Sequence, residues 1–248
     1  MRVGLCAADI LWLREKEPSF PCIMAVIGCG GKTSWIASLA KELSHKKVLI
    51  TPTTRIYPML EDEITLCTTV DACEKHIPHV GIQCLGIREE RSGKLTALPP
   101  SLLCEQVKKY DVVLLEADGS RGLPCKGWLD TEPVIPSFCT HTIGIVTLQA
   151  LGQRVSKQTV LHLPEFKQLT GNSVGERITG QALTKMLCAP GGMFEKAVGK
   201  NYLFVNQIES DMLERKAKEW LMEVKEQYPH KFTGFTYGSV VKNCWQEV

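Results

Sequence analysis

No apolar run in the 248-residue chain is long enough to span a bilayer. The N-terminal stretch lacks the uninterrupted core of a secretory signal, since Asp9 breaks it and Arg14-Glu15-Lys16-Glu17 follows at once. Charge excess is also lacking: the formal net charge is +2, which points to no nucleic-acid or membrane partner and leaves room for a local phosphate-binding patch. The 11 cysteines include no C-x-x-C pair, and their number is odd, which argues against a disulfide framework or a zinc site. Several of them, Cys22, Cys29, Cys84, Cys104, Cys139 and Cys188, lie in or beside apolar segments, where a thiol behaves as a small hydrophobe. A reducing cytoplasm is therefore the expected location. Internal repeats, low-complexity tracts and linkers are missing as well, so one domain over residues 1–248 is expected.

What is present begins at Ile23-Met24-Ala25-Val26-Ile27-Gly28-Cys29-Gly30-Gly31-Lys32-Thr33-Ser34. An apolar run ends in a glycine-rich bend, and Trp35, Ile36, Leu39, Ala40 and Leu43 then recur at helical spacing. Strand, glycine loop and helix N-terminus in that order form a cradle for phosphate. Inward-turned backbone N–H groups need glycine dihedrals, and the helix start adds unpaired donors and the favourable end of its dipole. Lys32 can bridge terminal phosphates and the Thr33 hydroxyl can hold Mg2+. The standard pattern has a glycine where this chain has Val26, so the loop is the tighter kind seen in Mur-ligase-type enzymes. The plain alternative, a strand–turn–helix connection that happens to use glycines, fits the flanking pattern less well. Cys29 lies inside this loop, either as a thiol activated by the helix N-terminus or as a small residue filling a tight turn.

Val48-Leu49-Ile50 reads as a second buried strand after the loop helix, which implies a right-handed parallel crossover and a doubly wound α/β sheet. It runs into Thr51-Pro52-Thr53-Thr54-Arg55, whose hydroxyls and guanidinium would lie at the ligand crevice. Gln83 to Arg88 and Lys94 to Leu98 read as a β-hairpin inserted around residues 80–100, followed by a helix with Ser101 as N-cap. Further strands are expected at Ile64–Cys67, Thr142–Leu148, Tyr202–Val205 and Phe232–Tyr237, and helices at Leu5–Leu13, Val70–His76, Leu161–Leu169, Ile178–Leu187 and Asp211–Gln227.

The second anchor is Tyr110-Asp111-Val112-Val113-Leu114-Leu115-Glu116-Ala117-Asp118-Gly119-Ser120, an apolar strand tipped by two carboxylates. A phosphate loop needs an acid on a neighbouring strand tip to complete the magnesium shell, and Glu116 follows the four apolar residues as such an acid does. Asp118 is the second candidate, for the metal or for orienting an attacking water or hydroxyl. Ser120, Arg121 and Lys126 follow where they could neutralise phosphate or hold an acidic substrate. Asp130 to Pro136 reads as a stiff, proline-punctuated loop. The Tyr202–Val205 strand ends in Asn206-Gln207-Ile208-Glu209, which parallels the Asn-Lys-x-Asp guanine motif with Gln for Lys and Glu for Asp.

Taken together, Gly28 to Thr33, Thr51 to Arg55, Glu116 to Lys126, Glu132 to Pro136 and Val205-Asn206-Gln207 resemble the YqeC family, described as selenium-dependent molybdenum hydroxylase accessory or selenium-cofactor biosynthesis proteins. The likeness spans nearly the whole chain, with Pro52 where the family tends to carry threonine and Glu209 where aspartate is usual. The resemblance implies a P-loop NTPase-like fold and a place in maturation of a selenium or molybdenum cofactor, or of the hydroxylase that carries it. The residues imply an enzyme that binds ATP or GTP with Mg2+ and hydrolyses or transfers the γ-phosphoryl group. Lys32, Glu116 and Asp118 would be catalytic. Gly28, Cys29, Gly30, Gly31, Lys32, Thr33, Ser34, Asn206 and Gln207 would bind nucleotide, and Thr33, Glu116 and Asp118 would hold the metal. Thr53, Thr54, Arg55, Ser120, Arg121 and Lys126 would meet substrate or phosphate. Three alternatives stay open: a small-molecule kinase or carboxylate-activating ligase, a nucleotide-switched chaperone or delivery protein for a client enzyme, and a binding domain that has lost catalysis.

Overall fold

The computed structural model describes residues 6–13, 21–58 and 64–248. Its strands are β1 (Cys22–Gly28), β2 (Lys47–Pro52), β3 (Arg55–Ile56), β4 (Ile64–Cys67), β5 (Gly81–Leu85), β6 (Ile87–Arg88), β7 (Leu95–Thr96), β8 (Val112–Glu116), β9 (Cys125–Lys126), β10 (His141–Thr147), β11 (Val160–Leu161), β12 (Lys200–Asn206), β13 (Gly234–Ser239) and β14 (Cys244–Glu247). The helices are α1 (Ala7–Leu13), α2 (Lys32–Glu42), α3 (Val70–Lys75), α4 (Pro100–Gln106), α5 (Leu163–Thr170), α6 (Gly180–Cys188) and α7 (Asp211–Gln227).

The main sheet has nine strands in the order β14-β13-β12-β10-β1-β8-β2-β5-β4. Every pairing is parallel except β13 with β14. All seven residues of β1 are buried, as a strand covered on both faces requires. Cys22, Met24 and Val26 face the layer of α1 and α2, where Trp35, Ile36 and Leu39 pack. Ile23, Ala25 and Ile27 face the opposite layer, with residues of α4, α6 and α7. Helices therefore cover both faces, and the architecture is the expected doubly wound α/β sheet.

The chain leaves β1 toward β2 on one side, returns as β8 beside β1, then crosses to β10 on the other side. Strand order reverses at β1, which opens a crevice beyond its carboxyl end, where open α/β sheets take their ligands.

Three sequence-based expectations change. Gly81–Leu85 is buried within the main sheet between β2 and β4, so the hairpin keeps only β6 and β7. Gly86 lets the chain swing out there, because a Cβ at that position would meet Leu95 Cβ at 3.0 Å and Thr96 O at 3.1 Å. The hairpin joins β3 in a separate three-stranded sheet, β3-β7-β6. The cap of α4 is Pro99, with Pro100 rather than Ser101 opening the helix, since proline has no N–H to leave unpaired at that position. The last strand runs to Ser239 and is followed by an antiparallel edge strand, β14, that alternation did not reveal. Leu5 and the Arg14–Glu17 stretch lie outside the described residues. Among the described residues no helix is long and apolar enough to cross a membrane.

Candidate functional site

The carboxyl ends of β1, β8, β2, β10 and β12 converge around the 28–34 loop. Gly28 and Gly30 take φ of 105° and 135°. A Cβ on Gly28 would lie 2.3 Å from Ile145 O, and one on Gly30 would lie 2.7 Å from the Val146 carbonyl carbon, so only glycine lets the loop pass this close to β10. Gly31 caps α2 in a left-handed conformation. Asn206, at the tip of β12, donates from Nδ2 to Gly30 O at 2.7 Å and accepts Val240 N–H on Oδ1 at 3.0 Å. It ties the loop to the end of β13.

Lys32 is buried, with Nζ donating to Gly28 O at 2.6 Å and lying 3.2 Å from Asp118 Oδ1. Burial works to lower its pKa, but Asp118 and then Glu116 outweigh it and hold the ammonium above its ordinary value. Thr33 donates from Oγ1 to Glu116 Oε2 at 2.9 Å. Glu116 is 7% exposed, and burial raises its pKa against the opposing pull of Lys32 and the Thr33 hydrogen bond. The loop's ammonium and hydroxyl thus meet the two strand-tip carboxylates, as their order along the chain implied.

The two acids differ in surroundings. Glu116 opens onto a cleft of about 860 Å³ that Thr33 also lines. Asp118 is fully buried and accepts the Gly28 N–H on both oxygens, at 3.0 and 3.1 Å, and Trp128 Nε1–H on Oδ2 at 3.0 Å. Lys126 Nζ lies 3.5 Å from the same oxygen. Lys126, expected at a phosphate, is itself fully buried, donating from Nζ to Gly119 O at 2.7 Å and forming an ion pair with Glu132 Oε2 at 2.6 Å. His162 Nε2 stands 3.7 Å from that Glu132 oxygen.

Thr54, Arg55, Ser120 and Arg121 line the cleft, whereas Thr53 turns its hydroxyl to Val134 O at 2.7 Å. Ser34 is exposed on the first turn of α2. Gln207 has φ 66°, and its buried Oε1 has no hydrogen-bond partner among the described residues. Glu209, read against the guanine motif, accepts Ser239 Oγ–H at 2.5 Å and lies 3.4 Å from Lys242 Nζ. Its own strand-end neighbours occupy it. Cys29 is fully buried, and burial pushes its thiol up to about 12, opposite to activation by a helix N-terminus.

Glu132, Trp128 and Lys94 were not singled out as site residues. Glu132 and Lys94 line the cleft, and Trp128 backs Asp118. Trp128 offers no local sequence signal; the glutamate lay within a recognisable block but read as loop.

Thr33 Oγ1 and the Glu116 carboxylate are hard oxygen donors at the open mouth of the loop, a set that suits Mg2+ sharing its shell with phosphates and water. Among the described residues no three His, Cys, Asp or Glu side chains converge into an all-protein metal cage.

The family model described as "YqeC protein" matches residues 24–164, which include the 28–34 loop, the Glu116–Lys126 block and Glu132. A protein of Escherichia coli (strain K12) named "Uncharacterized protein YqeC" is 30% identical over 186 residues, covering 71% of each chain. The chain belongs to the YqeC family.

Proposed function

We propose that the protein binds a nucleoside triphosphate with Mg2+ and hydrolyses or transfers its γ-phosphoryl group. The observation that carries this reading is the 2.9 Å hydrogen bond from Thr33 Oγ1 to Glu116 Oε2 at the head of a glycine loop. That contact brings together the two groups that share a magnesium ion in phosphoryl-transfer sites. Backbone N–H groups of the loop and the start of α2 would hold phosphate oxygens. Thr33 and Glu116 would hold Mg2+, which neutralises phosphate charge when bound.

Lys32 would exchange its contact with Gly28 O for a phosphate oxygen and stabilise charge in the transition state. Asp118, enclosed behind the loop, acts as a positioning residue for Lys32 and Gly28. On the family resemblance alone, the reading extends to maturation of a selenium or molybdenum cofactor or its hydroxylase, and the free cysteines favour a reducing cytoplasm as the place of action.

The test is a thermal-shift series with ATP, GTP and slowly hydrolysed analogues, with and without Mg2+. A Mg2+-dependent rise with at least one nucleotide, lost in Lys32→Ala protein whose circular dichroism matches the parent, is expected. No rise with either nucleotide would overturn the reading. Mass spectrometry of a phosphorylated small-molecule product would separate transfer from hydrolysis.

A further inference from the structure

The cleft beside Glu116 includes Thr33 but none of the loop residues 28–32, and neither Asn206 nor Gln207. Of the groups assigned above to the nucleotide and its metal, the cleft shares only Thr33 and Glu116, so on that reading it adjoins the metal side of the site. One wall is the small sheet, contributing Arg55 and Ile56 from β3 and Thr96 from β7, with Lys94 just before β7. The facing wall is Gly119 to Gly122 with Glu132. Its volume, about 860 Å³, is in the range of small-molecule sites.

The lining chemistry is specific. Three cations, Arg55, Lys94 and Arg121, border the space. Arg55 pairs with Glu89 at 3.1 Å, and Lys94 sits 4.7 Å above the Tyr57 ring. Among the described residues neither Lys94 nor Arg121 has a carboxylate partner. The buried hydroxyl oxygen of Thr54 has no hydrogen-bond partner there either. Of the two acids in the lining, Glu116 is taken by Thr33, whereas Glu132 has one oxygen pinned from behind by Lys126 at 2.6 Å.

We propose that this cleft seats a second substrate, a small anionic compound bearing a hydroxyl group, and that Glu132 receives the hydroxyl's proton. The proposal rests on the nucleotide reading above. Arg55, Lys94 and Arg121 hold the anionic end, which directs the hydroxyl toward Glu116 and Thr33, where the γ-phosphate would lie. The acceptor oxygen forms a bond to the γ-phosphorus as the bond from phosphorus to the bridging oxygen breaks. That electron pair leaves on the nucleoside diphosphate, and the acceptor's proton passes to Glu132 and then to solvent. In the absence of acceptor, water occupies the same position and hydrolysis results.

Isothermal calorimetry with glycerol 3-phosphate, an anionic alcohol, tests the site, with glycerol as the uncharged control. Protein loaded with Mg2+ and a slowly hydrolysed nucleotide analogue should bind glycerol 3-phosphate and not glycerol. The Arg55→Gln/Arg121→Gln variant should bind it at least tenfold more weakly while keeping the parent's affinity for the analogue. Absence of glycerol 3-phosphate binding, or equal binding by parent and variant, overturns the proposal. Glu132→Gln should keep glycerol 3-phosphate binding but lower kcat for nucleotide hydrolysis at least tenfold with KM unchanged, and undiminished kcat removes Glu132 as the proton acceptor. If the analogue itself fails to bind, the nucleotide reading fails separately. Glycerol 3-phosphate binding is then measured on unloaded Lys32→Ala protein, where loss of binding in the double-arginine background still reports on the cleft.

Discussion

Both oxygens of Asp118 accept the backbone N–H of Gly28, at 3.0 and 3.1 Å, across 90 residues of chain. The same carboxylate faces Lys32 and Lys126, at 3.2 and 3.5 Å, and takes the indole N–H of Trp128. One buried anion thus sets the entry of the 28–34 loop and the resting place of its lysine.

Asp118→Asn removes the negative charge and leaves two buried ammonium groups short of a partner. Breaking a buried pair in this way costs about 3 kcal/mol. Urea unfolding should show the loss as a lower midpoint at unchanged slope. A midpoint equal to the parent's would mean that Asp118 does not hold the loop.

Glu116 carries a stability that depends on pH. Its pKa is raised in the folded state, chiefly by burial, from an ordinary value of 4.5. The folded protein therefore binds more protons than the unfolded chain in that window, and stability falls as pH rises through the folded pKa. Glu116→Gln removes this pH dependence while keeping a partner for Thr33, so its Tm at pH 7 in the absence of Mg2+ should exceed the parent's. The gap should close below about pH 4, where the parent carboxyl is protonated in both states. A neutral-pH Tm below the parent's contradicts the assignment.

Thiol labelling should separate the loop cysteine from the surface. Cys29 is fully buried with its pKa pushed up to about 12, whereas Cys104 is exposed on α4. At pH 8 a thiol-specific disulfide reagent should modify Cys104 in the native protein and Cys29 only after unfolding, as peptide mapping would report. Native modification of Cys29 would restore it as a reactive group.

Asn206→Ala deletes the two hydrogen bonds that tie Gly30 O to the end of β13, at 2.7 and 3.0 Å. The cost to stability should be about 1–3 kcal/mol, because the Gly30 carbonyl and the Val240 N–H both lose their partner. Amide hydrogen exchange should quicken in the 28–34 loop and at Val240 while β1 stays protected. Unchanged exchange in the loop would show that the clamp is not what orders it.

Part of the site was legible because its signals are local. The glycines of residues 28–31, the Lys32-Thr33 pair and the helical spacing of α2 lie within a dozen positions, and backbone sterics alone make that order a strand, a bend and a helix. The α7 boundaries were legible for the same reason: Ser210 accepts the Leu213 N–H, and Ala217, Trp220, Leu221 and Val224 repeat on one face. The split between β5 and the β6–β7 hairpin was not, since an apolar run reads alike whether its partner is the next segment or one far off.

From its own order the chain determined the phosphate-sized loop, the acid-tipped strand and the alternation that stacks both into a doubly wound sheet, because those properties depend on neighbours in sequence. Only the tertiary structure decided that Glu116 faces the cleft while Asp118 is enclosed, that Lys126 is a buried counter-charge, and that Glu132 comes from a proline loop to the opposite wall. Those outcomes follow from which groups exclude water from which, and residues 28, 118, 128 and 162 settle that only once the fold has brought them together.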